Sequence, residues 1–142
     1  MNSDAASAAS FLPERKMKED LPTIAILGTG GTIAGKAGSA SATTGYVPGS
    51  ATVEDLLASV PGLEDIANLT SVQVSNIGSE DMTDEIWACL VKETESQLKD
   101  PEVAGVVITH GTDTLEETAF MLNQVLKLSL IHISEPTRLA LI

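Results

Sequence analysis

Thr23-Ile-Ala-Ile-Leu27, followed by Gly28-Thr-Gly-Gly-Thr32, is the stretch that decides the fold. Its first five residues are apolar at nearly every position instead of alternating, as in a strand covered on both faces, and so imply a parallel sheet. The glycines end that strand and open a turn. Residues 35–49, rich in Gly, Ser, Ala and Thr and carrying Tyr46, read as a mobile loop.

Outward from this stretch the same unit recurs. Thr52 and Asp55, at near-capping-box spacing before Leu56, Leu57 and Val60, predict a short helix that Pro61-Gly62 ends. A second strand is expected over 72–77, ending in Asn76-Ile-Gly-Ser-Glu-Asp81. Thr83, Asp84 and Glu85 then open a helix whose buried face is Trp87, Leu90, Val91, Thr94 and Leu98. A third strand over 105–109 runs into His110-Gly-Thr-Asp113. Thr114 and Glu117 predict a capping box for a helix carrying Leu115, Ala119, Leu122 and Val125. Strand, polar turn and helix in alternation specify an α/β fold, three layers around a mostly parallel sheet joined by right-handed crossovers. Ligands in such sheets bind at the carboxyl ends of the strands, so the turns holding Thr32, Ser79-Glu80 and Thr112-Asp113 are expected to converge on one site. Any one of them alone would read as an ordinary cap.

Composition narrows the function. The chain has 142 residues and a formal charge of −12, which would repel nucleic acid and anionic membrane surfaces. With 43% hydrophobic but only 3% aromatic residues, its core must be aliphatic. No apolar run approaches the ~20 residues of a spanning helix. Cys89 stands alone, so neither an internal disulfide nor a cysteine-based zinc cluster is available, and it reads as a small buried hydrophobe on a helix. Residues 1–20 lack the apolar segment of a secretory signal, read as a mobile extension, and place the protein in the cytoplasm unless the natural N-terminus lies elsewhere, with a periplasmic or secreted setting as the alternative. Asn68-Leu-Thr70 fits a glycosylation acceptor, a triplet too common to carry weight.

A glycine-rich turn after a buried strand first suggests phosphate binding. Gly28-x-Gly30 opens like a dinucleotide fingerprint, but Ile33 occupies the third glycine position. Gly30-x-x-x-x-Gly35-Lys36 approaches a nucleoside-triphosphate loop, but Ala37 lacks the hydroxyl that would hold magnesium. The glycines fit better as space around an exposed Thr32 hydroxyl with backbone N–H groups nearby for an oxyanion. A threonine nucleophile needs a base or strong acceptor. Tyr46 on the loop, or Thr112 with Asp113, could serve, whereas His110 reads as a structural hydrogen-bonder.

Leu27-Gly-Thr-Gly-Gly-Thr-Ile-Ala-Gly35 and Val107-Ile-Thr-His-Gly-Thr-Asp-Thr-Leu-Glu-Glu-Thr118 resemble the two signature motifs of bacterial-type L-asparaginases, and Asn76-Ile-Gly-Ser-Glu-Asp-Met82 is similar to the substrate-binding segment between them. The resemblance implies hydrolysis of L-asparagine to L-aspartate and ammonia through an acyl-enzyme, with no metal or organic cofactor. By the same resemblance, Thr32 would be the nucleophile and Tyr46 would activate it while closing over substrate. Thr112 would assist proton transfer and later position water. Asp113 would grip the substrate's α-ammonium group, Ser79 its α-carboxylate, and Glu80 would lie beside the α-ammonium. A Glu at position 80, where many members carry Gln, resembles members that also accept L-glutamine. The family further implies a homotetramer built from tight dimers.

The resemblance covers residues 21–127, which read as a partial N-terminal catalytic domain. Family members continue into another strand, a segment whose lysine completes the second catalytic group with Thr112 and Asp113, and a smaller C-terminal domain. From Leu128 the chain instead resembles the translation of a transposase-end adapter used in preparing sequencing libraries, so residues 128–142 are expected to be non-native; a native amphipathic strand is the other reading. Three parallel strands on their own would leave an unpaired edge and an uncovered apolar face, giving a marginal or aggregation-prone fold. The 142-residue chain by itself is therefore expected to have little or no amidase activity. Two alternatives stand beside an incomplete L-asparaginase: a truncated, non-catalytic fragment retaining at most ligand binding, and a nucleotide-binding protein.

Overall fold

The computed structural model describes residues 17–31 and 51–126. They form three parallel strands, β1 (Thr23–Gly30), β2 (Asn68–Ile77) and β3 (Val103–Thr109), in the order β2-β1-β3. The helices are α1 (Val53–Ala58), α2 (Asp84–Lys99) and α3 (Leu115–Val125), with single 3-10 turns at Leu63–Asp65 and Ser79–Asp81. The α/β reading with a parallel sheet holds.

β1 is central and its residues from Ala25 onward are buried, which is why its sequence shows no alternation. Leu27 lies in one core with Leu90 of α2 and Leu122 and Leu126 of the α3 end, flanked by Val72, Val74, Val106 and Ile108. Register puts Ser71, Gln73 and Val107 on the opposite face, alongside Ile26 and Gly28. There α1 seats Val53 against Gly28 and Gln73, and Glu54 accepts a 2.8 Å hydrogen bond from Ser71 Oγ.

Several local expectations change. β1 runs on through the glycines to Gly30, because Thr29 is 2% exposed and donates from Oγ1 to Thr109 O at 2.8 Å. β2 begins at Asn68, not at 72; Asn68 Nδ2 donates to the carbonyls of Lys18 and Leu21, which occupies the amide of the glycosylation triplet. Lys18 also bonds the Glu64 carbonyl and the Asp65 carboxylate, so Lys18, assigned to the extension, is tied to the fold. The Thr52–Asp55 capping box forms, and Thr83 caps α2. Glu85, in that first turn, is held below the ordinary glutamate range by hydrogen bonds from its own backbone N–H and the Thr83 hydroxyl.

The Thr114–Glu117 capping box does not form. Thr114 donates instead to Ser79 O at 2.8 Å, a tertiary partner that outcompetes the local cap. Cys89 lies on α2 as expected but is exposed, since it sits off the stripe formed by Leu90 and Thr94. Val125 is likewise 40% exposed, Leu126 taking the inward position. Val107 on β3 and Phe120 on α3 are 48% and 67% exposed, apolar surface that these elements leave uncovered. Among the described residues no helix is long and apolar enough to cross a membrane.

Candidate active site

β1 is followed by a crossover to β2 on one side and is flanked by β3 on the other, so its carboxyl end is a topological switch point, the place where α/β sheets bind ligands. The turns after β1 and β3 meet there. Gly31 lies so close to Gly111 that a Cβ on Gly31 would collide with the Gly111 backbone, and a Cβ on Gly111 would collide with the Ser79 side chain. Gly30 and Gly31 have φ of 101° and 82°, left-handed values that favour glycine, and Gly31 N donates to Ile77 O at 2.7 Å. The turn after β2 is drawn into the same place. Ser79 is 4% exposed, and its Oγ accepts from Asp113 N at 3.1 Å. Thr114 Oγ1 closes the second link between these turns on Ser79 O.

Ser79, Thr112 and Asp113 are thus brought together as expected. The side chains of Thr112 and Asp113 face solvent, whereas Ser79 is buried beneath them with a hydroxyl that, having accepted one bond, keeps its proton to donate. Glu80 is exposed on the 3-10 turn, its carboxylate folded against Gly78. Thr32 and Tyr46, and the loop over 35–49, lie outside the described residues; Gly31 is the last described residue before Thr32. Among the described residues no group of His, Cys, Asp and Glu is arranged to hold a metal ion.

Residues 23–131 match the family model described as asparaginase, N-terminal. The chain belongs to the asparaginase family. It is 48% identical over 110 residues to L-asparaginase 2 of Bacillus subtilis, covering 78% of this chain and 29% of that protein. It is 46% identical over 121 residues to the glutaminase-asparaginase of Pseudomonas aeruginosa, covering 85% and 32%. The crystal structure of the probable cytoplasmic L-asparaginase of Campylobacter jejuni superposes with a TM-score of 0.66 at 50% identity, over 71% of this chain and 31% of that one. The chain therefore spans about a third of the length of the asparaginases it matches.

Sequence reading did not find the hydrogen-bond chain that backs this asparaginase turn. Trp87 Nε1 donates to Thr118 Oγ1 at 2.8 Å, Thr118 Oγ1 meets His110 Nε2 at 2.8 Å, and His110 Nδ1 lies 2.7 Å from Gly111 O. With Trp87 as donor, the simplest pattern has Thr118 donating to Nε2 and His110 donating from Nδ1. Both ring nitrogens are engaged, as the structural reading of His110 expected. The pairing of Trp87 with Thr118, 31 positions apart, carried no periodic signal. Trp87→Phe, which removes only the indole donor and some ring area, is expected to lower stability by about 0.5–1.5 kcal/mol, read from the urea midpoint.

Proposed function

We propose that this chain is the nucleophile-bearing part of an L-asparaginase, and that residues 21–127 are a partial catalytic domain. The observation that supports it best is the meeting of three turns: Gly31, which precedes Thr32, packs on Gly111, which precedes Thr112 and Asp113, while Ser79 bridges to Asp113 N. The activities for which the B. subtilis and P. aeruginosa relatives are named support the same chemistry.

In this reading Thr32 Oγ attacks the side-chain amide carbon of L-asparagine, assisted by Tyr46. The tetrahedral intermediate expels the amide nitrogen, which takes up a proton and leaves as ammonia, while the side-chain acyl group stays on Thr32 as an ester. Backbone N–H groups around the glycine turn stabilise the oxyanion. Thr112 assists proton transfer and then positions the water that cleaves the ester to L-aspartate. Asp113 holds the α-ammonium and Ser79 the α-carboxylate, so the two ends of the amino acid fix the amide over Thr32. Glu80, beside the α-ammonium, belongs to a site that also admits L-glutamine, the activity named for the P. aeruginosa relative. No cofactor takes part. The complete enzyme is a homotetramer, and its cytoplasmic setting is supported by likeness to the C. jejuni protein.

Ammonia release from the two amides tests this. The complete protein is expected to hydrolyse L-asparagine, with slower turnover of L-glutamine. The 142-residue chain alone is expected to release none, because it spans only about a third of the length of the asparaginases it matches. Absence of asparagine turnover by the complete protein would refute the reading, and full turnover by the chain alone would refute its incompleteness.

A further inference from the structure

The β1/β2 ladder is broken just before the site. Gly28 pairs with Gln73 and Gly30 with Ile77, so two residues along β1 are matched by four along β2. Such a bulge re-aims the strand and leaves backbone groups without ladder partners. Gln73 binds two backbone carbonyls at this break, donating from Nε2 to Gly28 O at 3.2 Å and to Ser75 O at 2.5 Å. Its Oε1 accepts from Val53 N at 2.8 Å, an N–H that the first turn of α1 cannot use. Ser75 Oγ adds a bond to Thr29 O at 2.8 Å.

One amide thereby joins the chain just before Gly31 to the chain just after residue 50, the two stems between which Thr32 and Tyr46 lie in sequence. Gly28 makes the room: a Cβ there would stand 2.9 Å from Val53 Cβ and 3.0 Å from Gln73 Nε2. The fit requires a glutamine. Its two N–H bonds point at carbonyls and its oxygen at an N–H, a pattern no carboxylate or thioether reproduces.

We infer that Gln73 is a positioning residue for the hydrolysis, fixing the spacing of the chain that runs up to Gly31, which packs on the Gly111 turn, and the chain that resumes at Ala51. This rests on the proposed function. It is tested in the complete protein with Gln73→Glu, which keeps the shape but sets a carboxylate against two carbonyls. Expected is a fall in kcat of about 10- to 100-fold with KM for L-asparagine changed by less than about 3-fold, since Ser79 and Asp113 remain to bind substrate. Thr70→Val, elsewhere on β2 at a hydroxyl that is buried without a partner, should leave kcat unchanged. If Gln73→Glu does not fold, Gln73→Met carries the same expectation. Unchanged kcat in a folded variant, a loss confined to KM, or an equal loss in Thr70→Val would overturn the assignment. So would failure of both Gln73 variants to fold, which would make the residue one the fold alone requires. Failure of the wild-type protein to turn over L-asparagine would instead strike the proposed function.

Discussion

Thr32→Ala in the complete protein is expected to abolish asparagine hydrolysis, with kcat down by at least about 1,000-fold, while L-asparagine still binds. The reasoning is chemical. Without the hydroxyl no ester can form, and the remaining groups can only hold the substrate and polarise its amide. Ser79 and the Asp113 turn are held by each other, by Thr114 and by the packing of Gly111. Calorimetric binding of L-asparagine to Thr32→Ala should therefore persist within a few-fold of wild type, and Thr32→Ser, which keeps a hydroxyl, should retain measurable turnover. Loss of binding together with turnover would mean that Thr32 holds the site together instead of attacking.

The second large effect is expected at Gly111. A Cβ there would stand 2.7 Å from Ser79 Cβ and 3.1 Å from Gly31 Cα, with backbone on one side and a buried side chain on the other. Neither neighbour can retreat, because Gly31 is tied to Ile77 O and Ser79 is fixed by Thr114 and Asp113 N. Gly111→Ala should cost about 1–3 kcal/mol of stability in overpacking. It should also spread the turns that carry Thr32, Ser79 and Asp113, so that activity falls beyond what the unfolded fraction explains. Thermal unfolding and kcat/KM measured well below the transition separate the two effects. A variant as stable and active as wild type would mean that the turns are not packed as described.

What was legible in the sequence follows from how local each signal is. The apolar run at β1 and the hydroxyl caps at Thr52 and Thr83 are set by neighbours within four positions, and they appear as read. Thr114 carried an equally good local signal and failed, because Ser79 O, 35 positions away, is its partner. β2 was read too short since Asn68, Thr70 and Ser71 look like loop residues; Asn68 earns its place through Lys18 and Leu21, and Ser71 through Glu54. The strand order was not legible at all, yet it makes β1 the switch point and brings Gly31 onto Gly111. The bulge and its Gln73 clasp were hidden for the same reason. Within its own strand Gln73 is an ordinary polar residue, and its role exists only once Gly28 and Val53 are beside it. Of the candidate site, Ser79, Thr112 and Asp113 were readable as turn residues after buried strands, but the network from Trp87 to Gly111 through Thr118 and His110 was not.

The most direct test of a threonine acyl-enzyme is the partition of the complete protein's product between water and added hydroxylamine. L-Asparagine and the β-methyl ester of L-aspartate differ only in leaving group, so one common ester on Thr32 must give the same ratio of aspartate β-hydroxamate to aspartate from both. Equal ratios from the two substrates, and loss of both products in Thr32→Ala, are expected. Ratios that differ with the leaving group, or products that survive in Thr32→Ala, would contradict Thr32 as the residue that carries the acyl group.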